Sequence, residues 1–126
     1  MTGAVLLFLV CMEVKHCLFD FVFQTLYQVR NKGTYGHPGG LLHSGLHVLG
    51  TAVVLVFFRP PLSLAIAILV GEFVVHYHID WVKEQVMRRW VTGQGAFFWR
   101  MMGLDQLLHQ LTYIAIAAIL FLGHAG

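Results

Sequence analysis

Hydrophobic runs alternate with short polar breaks along the whole chain. A bilayer hydrocarbon core of about 30 Å needs about 20 helical residues at 1.5 Å rise each. Four segments approach or exceed that length: about Thr2 to Tyr27, Leu41 to Phe58, Leu62 to Trp81 and Leu104 to Gly123. The stretch QVRNKGTYGHPGG, dense in Gly with one Pro, separates the first two. Arg59-Pro60-Pro61 joins the second and third so tightly that they must form an antiparallel hairpin. Beyond Trp81, a four-spaced apolar stripe (Val82, Val86, Trp90) with Lys83, Glu84, Arg88 and Arg89 largely off it predicts a short amphipathic helix at the membrane surface. The expected fold is all-α, a single transmembrane domain over residues 1–126 with four spans and an interfacial helix between the last two.

Composition supports the membrane reading. Hydrophobic residues make up 58% and charged residues 11% of the chain, against about 25% charged in ordinary soluble domains. Mean hydropathy is +0.73. A formal charge of +2 is too small to argue for nucleic acid, but its distribution is informative. Arg30, Lys32, Lys83, Arg88, Arg89 and Arg100 fall in the first and third connections, and only Arg59 in the second. The positive-inside rule then places both termini outside and the long connections in the cytoplasm. Trp81, Trp90 and Trp99 suit the water–lipid boundary. The start of the chain has neither the basic n-region nor the cleavage site of a secretory signal, so the first apolar stretch is expected to be retained. Cys11 and Cys17, six residues apart on the first helix, face different ways and do not suggest a disulfide.

Histidines number eight, more than the six acidic residues, and their spacing is the strongest signal in the sequence. Residues four apart share a helix face. His16 and Asp20, His43 and His47, His76 and Asp80, and Asp105 and His109 are four such pairs, one per span. With the predicted topology, every pair falls in the cytoplasmic half. Ionisable groups inside a membrane are costly unless they are paired, bind an ion or line a wet cavity. Four pairs at one depth can enclose a single polar centre. Imidazole and carboxylate are the donors for Zn²⁺ and, depending on geometry, Mn²⁺ or Fe²⁺. His43, His47, His76 and Asp80 are the expected direct ligands. His16, Asp20 and His109 are expected as ligands or as groups that orient them. Asp105 serves as ligand or general base, and Lys83 as a stabiliser of phosphate or carboxylate charge. His78, two residues from His76, belongs to another face. His37 in the Gly/Pro loop and His124 in the tail are expected in solvent. Glu13 and Lys15 lie deeper, able to pair with Glu72 or with each other.

The ordered set His16-x3-Asp20-Phe21-x2-Gln24, Lys32, His43-x3-His47, His76-x3-Asp80-x2-Lys83, Asp105-Gln106-x2-His109 resembles a bacterial membrane-protein family known as domain of unknown function 3307, from about Leu6 to Leu120. The resemblance implies a small integral protein of the bacterial cytoplasmic membrane with this polar set as its signature, and it supplies no activity. His78 and the aromatic FFWRMM stretch are departures from that pattern. The residue types are also loosely similar to those of membrane-bound metal-dependent hydrolases, an analogy that does not establish function.

Three classes of function follow. The first is an intramembrane metalloenzyme, a hydrolase or transferase acting on a lipid or polyprenyl headgroup. The second is a non-enzymatic subunit of a larger membrane complex, whose polar core locks four helices together or ligates a tetrapyrrole. The third is a proton or metal-ion transporter, against which stands the scarcity of polar residues in the outer half. Small residues (Gly45, Gly50, Ala65, Gly71, Ala115, Ala118) would allow close packing within the chain, with partner subunits or with a second copy.

Overall fold

The computed structural model describes residues 1–123; His124 lies outside them. Five α-helices and one π-helical turn account for most of the described chain. They are α1 (Thr2–Cys17), the π turn (Leu18–Val22), α2 (Leu26–Asn31), α3 (Pro38–Phe58), α4 (Leu62–Trp90) and α5 (Ala96–Leu122). α1 packs against α3 and α5, and α4 packs against the same two, so the four long helices close a ring. The Arg59-Pro60-Pro61 connection between α3 and α4 forms as expected. It is made with Arg59 at φ 50°, a left-handed conformation uncommon for a side-chain-bearing residue.

Hydrophobicity is inverted relative to a soluble bundle. Among the described residues, fourteen polar or charged side chains are buried against nine hydrophobic ones, while Leu, Val, Ile and Phe crowd the outer faces. The helices α3, α4 and α5 are each long and apolar enough to cross a membrane. α1 has only 16 residues and does not reach that length alone, so the expected count of four spans becomes three candidates by length and composition. The apolar core fills one end of the ring with Phe8, Met12, Val54, Leu55, Ile68, Tyr113, Ile116 and Ala117. Phe8 seals that end by meeting Phe58 at 5.3 Å and Phe121 at 5.8 Å, both edge-on. The other end is polar.

Four boundaries differ from expectation, each for a local reason. α5 begins at Ala96 rather than Leu104, directly after the Gly93–Gly95 break. The first apolar stretch stops at Val22 rather than Tyr27. Thr25 starts a new helix with a reciprocal cap: its hydroxyl accepts from the Gln28 N–H, and the Gln28 side chain accepts from the Thr25 N–H. α3 begins at Pro38 inside the Gly-rich stretch, because proline fits the first helical position, where no N–H bond is needed. His37 caps this helix by accepting from the Gly39 N–H at 3.0 Å. Finally, no separate helix lies between the last two long ones. Val82 to Trp90 is the end of α4, since neither Gly nor Pro interrupts it, and the break falls at Thr92-Gly93-Gln94-Gly95. There Gly93 takes φ 75°. At 29 residues α4 is about 44 Å long, longer than a hydrocarbon core of about 30 Å is thick.

The Val82 to Trp90 end of α4 is anchored. Gln85 Nε2 donates to the Gly33 carbonyl at 2.6 Å, and Arg88 donates to the carbonyls of Gly33 and Arg30 at 3.4 Å. Trp81 packs edge-on against Tyr35, while Trp90 and Trp99 are exposed.

Candidate metal centre

All eight members of the four pairs are buried in the polar end of the ring. α1 carries His16 in its last turn, and the π turn that follows carries Asp20. Such wide turns are frequent at functional sites. The turn closes with the Phe23 N–H on the Leu18 carbonyl at 2.8 Å, and the Gln24 side chain donates to the Asp20 carbonyl at 2.6 Å. α3 supplies His43 and His47, α4 supplies His76 and Asp80, and α5 supplies Asp105 and His109.

Two carboxylates stand at the centre. Asp20 Oδ1 lies 3.0 Å from His47 Nε2 and 3.2 Å from His43 Nε2, while its Oδ2 lies 3.1 Å from His16 Nε2. Asp80 Oδ2 lies 3.0 Å from His43 Nε2 and 3.6 Å from both His76 Nε2 and Lys32 Nζ. Its Oδ1 lies 3.4 Å from His109 Nε2. Asp105 is the third carboxylate, with Oδ1 3.5 Å from His109 Nε2 and Oδ2 3.5 Å from Lys83 Nζ. The imidazole rings are also close, His47 to His76 at 4.1 Å and His76 to His109 at 4.2 Å between centroids.

Several of these close atoms are not hydrogen-bonded. Among the described residues, neither nitrogen of His76 has a hydrogen-bond partner, and nor do His43 Nε2, His47 Nδ1, Asp80 Oδ2 or Asp105 Oδ1, all buried. His43 Nε2 is within 3.2 Å of two carboxylates without the alignment of a hydrogen bond to either. Donors about 2.0–2.1 Å from a tetrahedral ion stand roughly 3.3 Å apart. The nitrogen-to-oxygen separations here, 3.0–3.6 Å, bracket that value and are also those of ion pairs. One donor atom from each of Asp20, His43, His47 and His76 lies within 4.8 Å of the others, and a second set, His76, Asp80 and His109, does the same. Either set could hold a metal ion.

His16 has a different environment. Its Nδ1 is 2.8 Å from the Tyr113 hydroxyl and its Nε2 is 3.0 Å from Gln106 Oε1, so both nitrogens are occupied. Gln106 also donates to Asp105 Oδ2 at 3.2 Å and to Asp20 Oδ2 at 3.4 Å, tying two carboxylates together. Below the cluster, Lys15 Nζ meets Glu72 Oε1 at 2.7 Å, Thr51 Oγ1 at 3.0 Å and the His47 carbonyl at 3.3 Å. Lys15 thus pairs with Glu72, one of its expected alternatives. His78 stays outside, as expected, exposed and bonded to Tyr35 and to the Val74 carbonyl.

Tyr113 and Thr51 were not anticipated, although each is the next member of a four-spaced row, after His109 and after His47. Lys32 was expected as a signature residue, and it extends from the loop after α2 to the central carboxylate, bridged to Gln24 Oε1 at 3.0 Å.

The family model described as "Protein of unknown function (DUF3307)" matches residues 6–125. Comparison with curated proteins and with solved structures finds no match to either.

Proposed function

Given that the chain belongs to the DUF3307 family, whose description assigns no chemistry, we propose from the geometry that it is a membrane-embedded metalloprotein, a metal-dependent hydrolase or transferase acting on a lipid or polyprenyl headgroup. The observation that carries this reading is the set of buried donor atoms on His43, His76, Asp80 and Asp105 that stand close together without hydrogen bonds. A half-satisfied polar network is worse for stability than an apolar core, whereas an ion would engage the free nitrogens of His43 and His76 and leave Asp80 and Asp105 to pair with the groups around it. Asp20, His43, His47 and His76 are the proposed ligands, as the larger of the two convergent sets. Asp80 and His109 flank them, and His16, held by Tyr113 and Gln106, orients Asp20.

Charge balance is compatible with one divalent ion. Asp20, Asp80 and Asp105 are opposed by Lys32 and Lys83, which leaves one negative charge if the imidazoles are neutral. An ion carrying hydroxide would make the cluster neutral. Zinc suits the mixed imidazole and carboxylate set best, with manganese or iron as alternatives. A bound ion would lower the pKa of its water to about 7. Asp105, whose Oδ1 makes no hydrogen bond among the described residues, would serve as the general base, and Lys83 would stabilise charge on the headgroup.

We extend the proposal to topology. α1 and the π turn together run from Thr2 to Val22, about 31 Å at 1.5 Å per residue, and would provide a fourth span. Arg30, Arg88, Arg89 and Arg100 near one end, against Arg59 at the other, would put the cluster near the cytoplasmic face of a bacterial inner membrane, with both termini outside. The sealed apolar end argues against a transport path.

X-ray absorption at the metal edge tests the site. The expected spectrum is a shell of nitrogen and oxygen at about 2.0–2.1 Å with imidazole scattering. Sulfur at about 2.3 Å would place the metal on Cys11 or Cys17 and overturn the assignment.

A further inference from the structure

The cluster is buried, and an amphiphile needs a way to reach it. A groove between two of the helices touches it. Between α4 and α5 a cavity of about 450 Å³ is walled by Val74, Val75, Ile79 and Val82 on one side and Leu104 and Leu108 on the other, with Lys83 and Asp105 also in its lining. That volume is within the range of small-molecule pockets. Along α4 the groove runs from Val74 to Val86, about 18 Å at 1.5 Å per residue, enough for a long stretch of acyl chain.

Lys83 and Asp105 belong to both the groove and the cluster. They meet each other at 3.5 Å, and Asp105 continues inward to His109 at 3.5 Å and to Gln106 at 3.2 Å. Asp105 is 3% exposed and keeps one oxygen without a hydrogen-bond partner. The groove therefore has apolar walls and a polar edge where it adjoins the proposed reaction centre. At the edge itself Lys83 faces Asp105, and along residues 82–105 the cations Lys83, Arg88, Arg89 and Arg100 outnumber the acids Glu84 and Asp105. This excess is complementary to an anionic headgroup.

We infer that the α4–α5 groove is a lateral entry and binding site for a membrane lipid with a phosphate-bearing headgroup, one chain lying along Val74 to Val86 and the phosphate at Lys83. The inference rests on the reading of the cluster as a centre acting on lipid headgroups and assigns its substrate class and route. Access from the side brings the headgroup to Lys83 and Asp105, the two residues that the groove shares with the cluster. It also explains why Lys83 sits at the groove rather than deeper among the ligands.

Photocrosslinking in bilayers tests this. The full chain is reconstituted into phosphatidylcholine nanodiscs with a trace of phosphatidic acid bearing a diazirine on its acyl chain, and labelled peptides are mapped by mass spectrometry. Labelling should concentrate on residues 74–86 and 101–108. It should exceed that from a phosphatidylcholine probe with the same chain about fivefold or more, and fall by a similar factor in Val82→Trp and Leu108→Trp, which fill the groove. Lys83→Met should abolish the preference for phosphatidic acid while leaving some chain labelling. Equal labelling by both headgroups, or labelling spread over the outward faces of all the helices, would overturn the inference. Metal content is measured on the same samples. Metal-replete protein without groove labelling removes this site and leaves the metal reading standing; groove labelling on metal-free protein does the reverse. Retained metal in the Trp variants shows that they are folded.

Discussion

The buried ion pair beneath the cluster gives a prediction with a magnitude. Lys15 and Glu72 are 5% and 2% exposed, and their charged atoms are 2.7 Å apart. With an effective dielectric of about 20, the attraction at that distance is roughly 6 kcal/mol. Desolvating both charges offsets most of it, so the pair as a whole contributes little, while either partner left alone is an uncompensated buried charge. Glu72→Met should therefore destabilise the bundle by about 3–5 kcal/mol. Lys15→Met should cost a similar amount, because Glu72 Oε2 has no partner to fall back on. The double variant should lie within about 1–2 kcal/mol of the parent. Thr51 would not be orphaned, since its hydroxyl already donates to the His47 carbonyl at 3.3 Å. Reversible unfolding in mixed micelles with increasing denaturing detergent, read by circular dichroism over the full double-mutant cycle, provides the values. Single variants within about 1 kcal/mol of the parent, or a double variant as unstable as the sum of the singles, would refute this account of the pair.

Other consequences are direct. A methyl group on Gly50 would come within 2.7 Å of both Lys15 Cγ and Phe19 Cε2, so Gly50→Ala should destabilise by about 1–3 kcal/mol in the same assay. Gly45 and Gly71 meet nothing within 4 Å, and alanine there should be neutral or stabilising by up to about 1 kcal/mol. Tyr113→Phe removes the hydroxyl that holds His16 Nδ1 and should weaken metal affinity about 10- to 100-fold without unfolding the protein, measured by competition with a chromophoric chelator. Thr25→Ala deletes half of the reciprocal cap of α2 and should cost about 1 kcal/mol, with faster amide exchange confined to residues 26–31.

Much of this arrangement was legible in the sequence because helix periodicity is local. His16 and Asp20, or His76 and Asp80, can be placed on one face from spacing alone, and four such pairs predict a common centre. The partners across the bundle are not local. That Asp20 meets His47 and Gln106, or that Lys32 extends to Asp80, depends on how four helices pack, which spacing does not encode. Tyr113 and Thr51 continue the same rows, but a hydroxyl in an apolar helix reads equally well as a packing contact. The segment from Val82 to Trp90 shows another limit: an amphipathic stripe looks the same in a separate helix and in the tail of a longer one, and only a breaker residue tells them apart. The π turn at Leu18–Val22 leaves no mark in the pattern at all.

The central claim is that Asp20, His43, His47 and His76 hold a metal ion. It is tested most directly by elemental mass spectrometry of protein purified in mild detergent, without chelator and without a polyhistidine tag. The parent protein should carry close to one equivalent of a divalent transition metal, and His76→Gln and Asp20→Asn should lose most of it while keeping their helical content. A well-folded parent without metal, still without metal after incubation with zinc, manganese and ferrous iron, would contradict the claim and leave the cluster as a packing network within a larger membrane assembly.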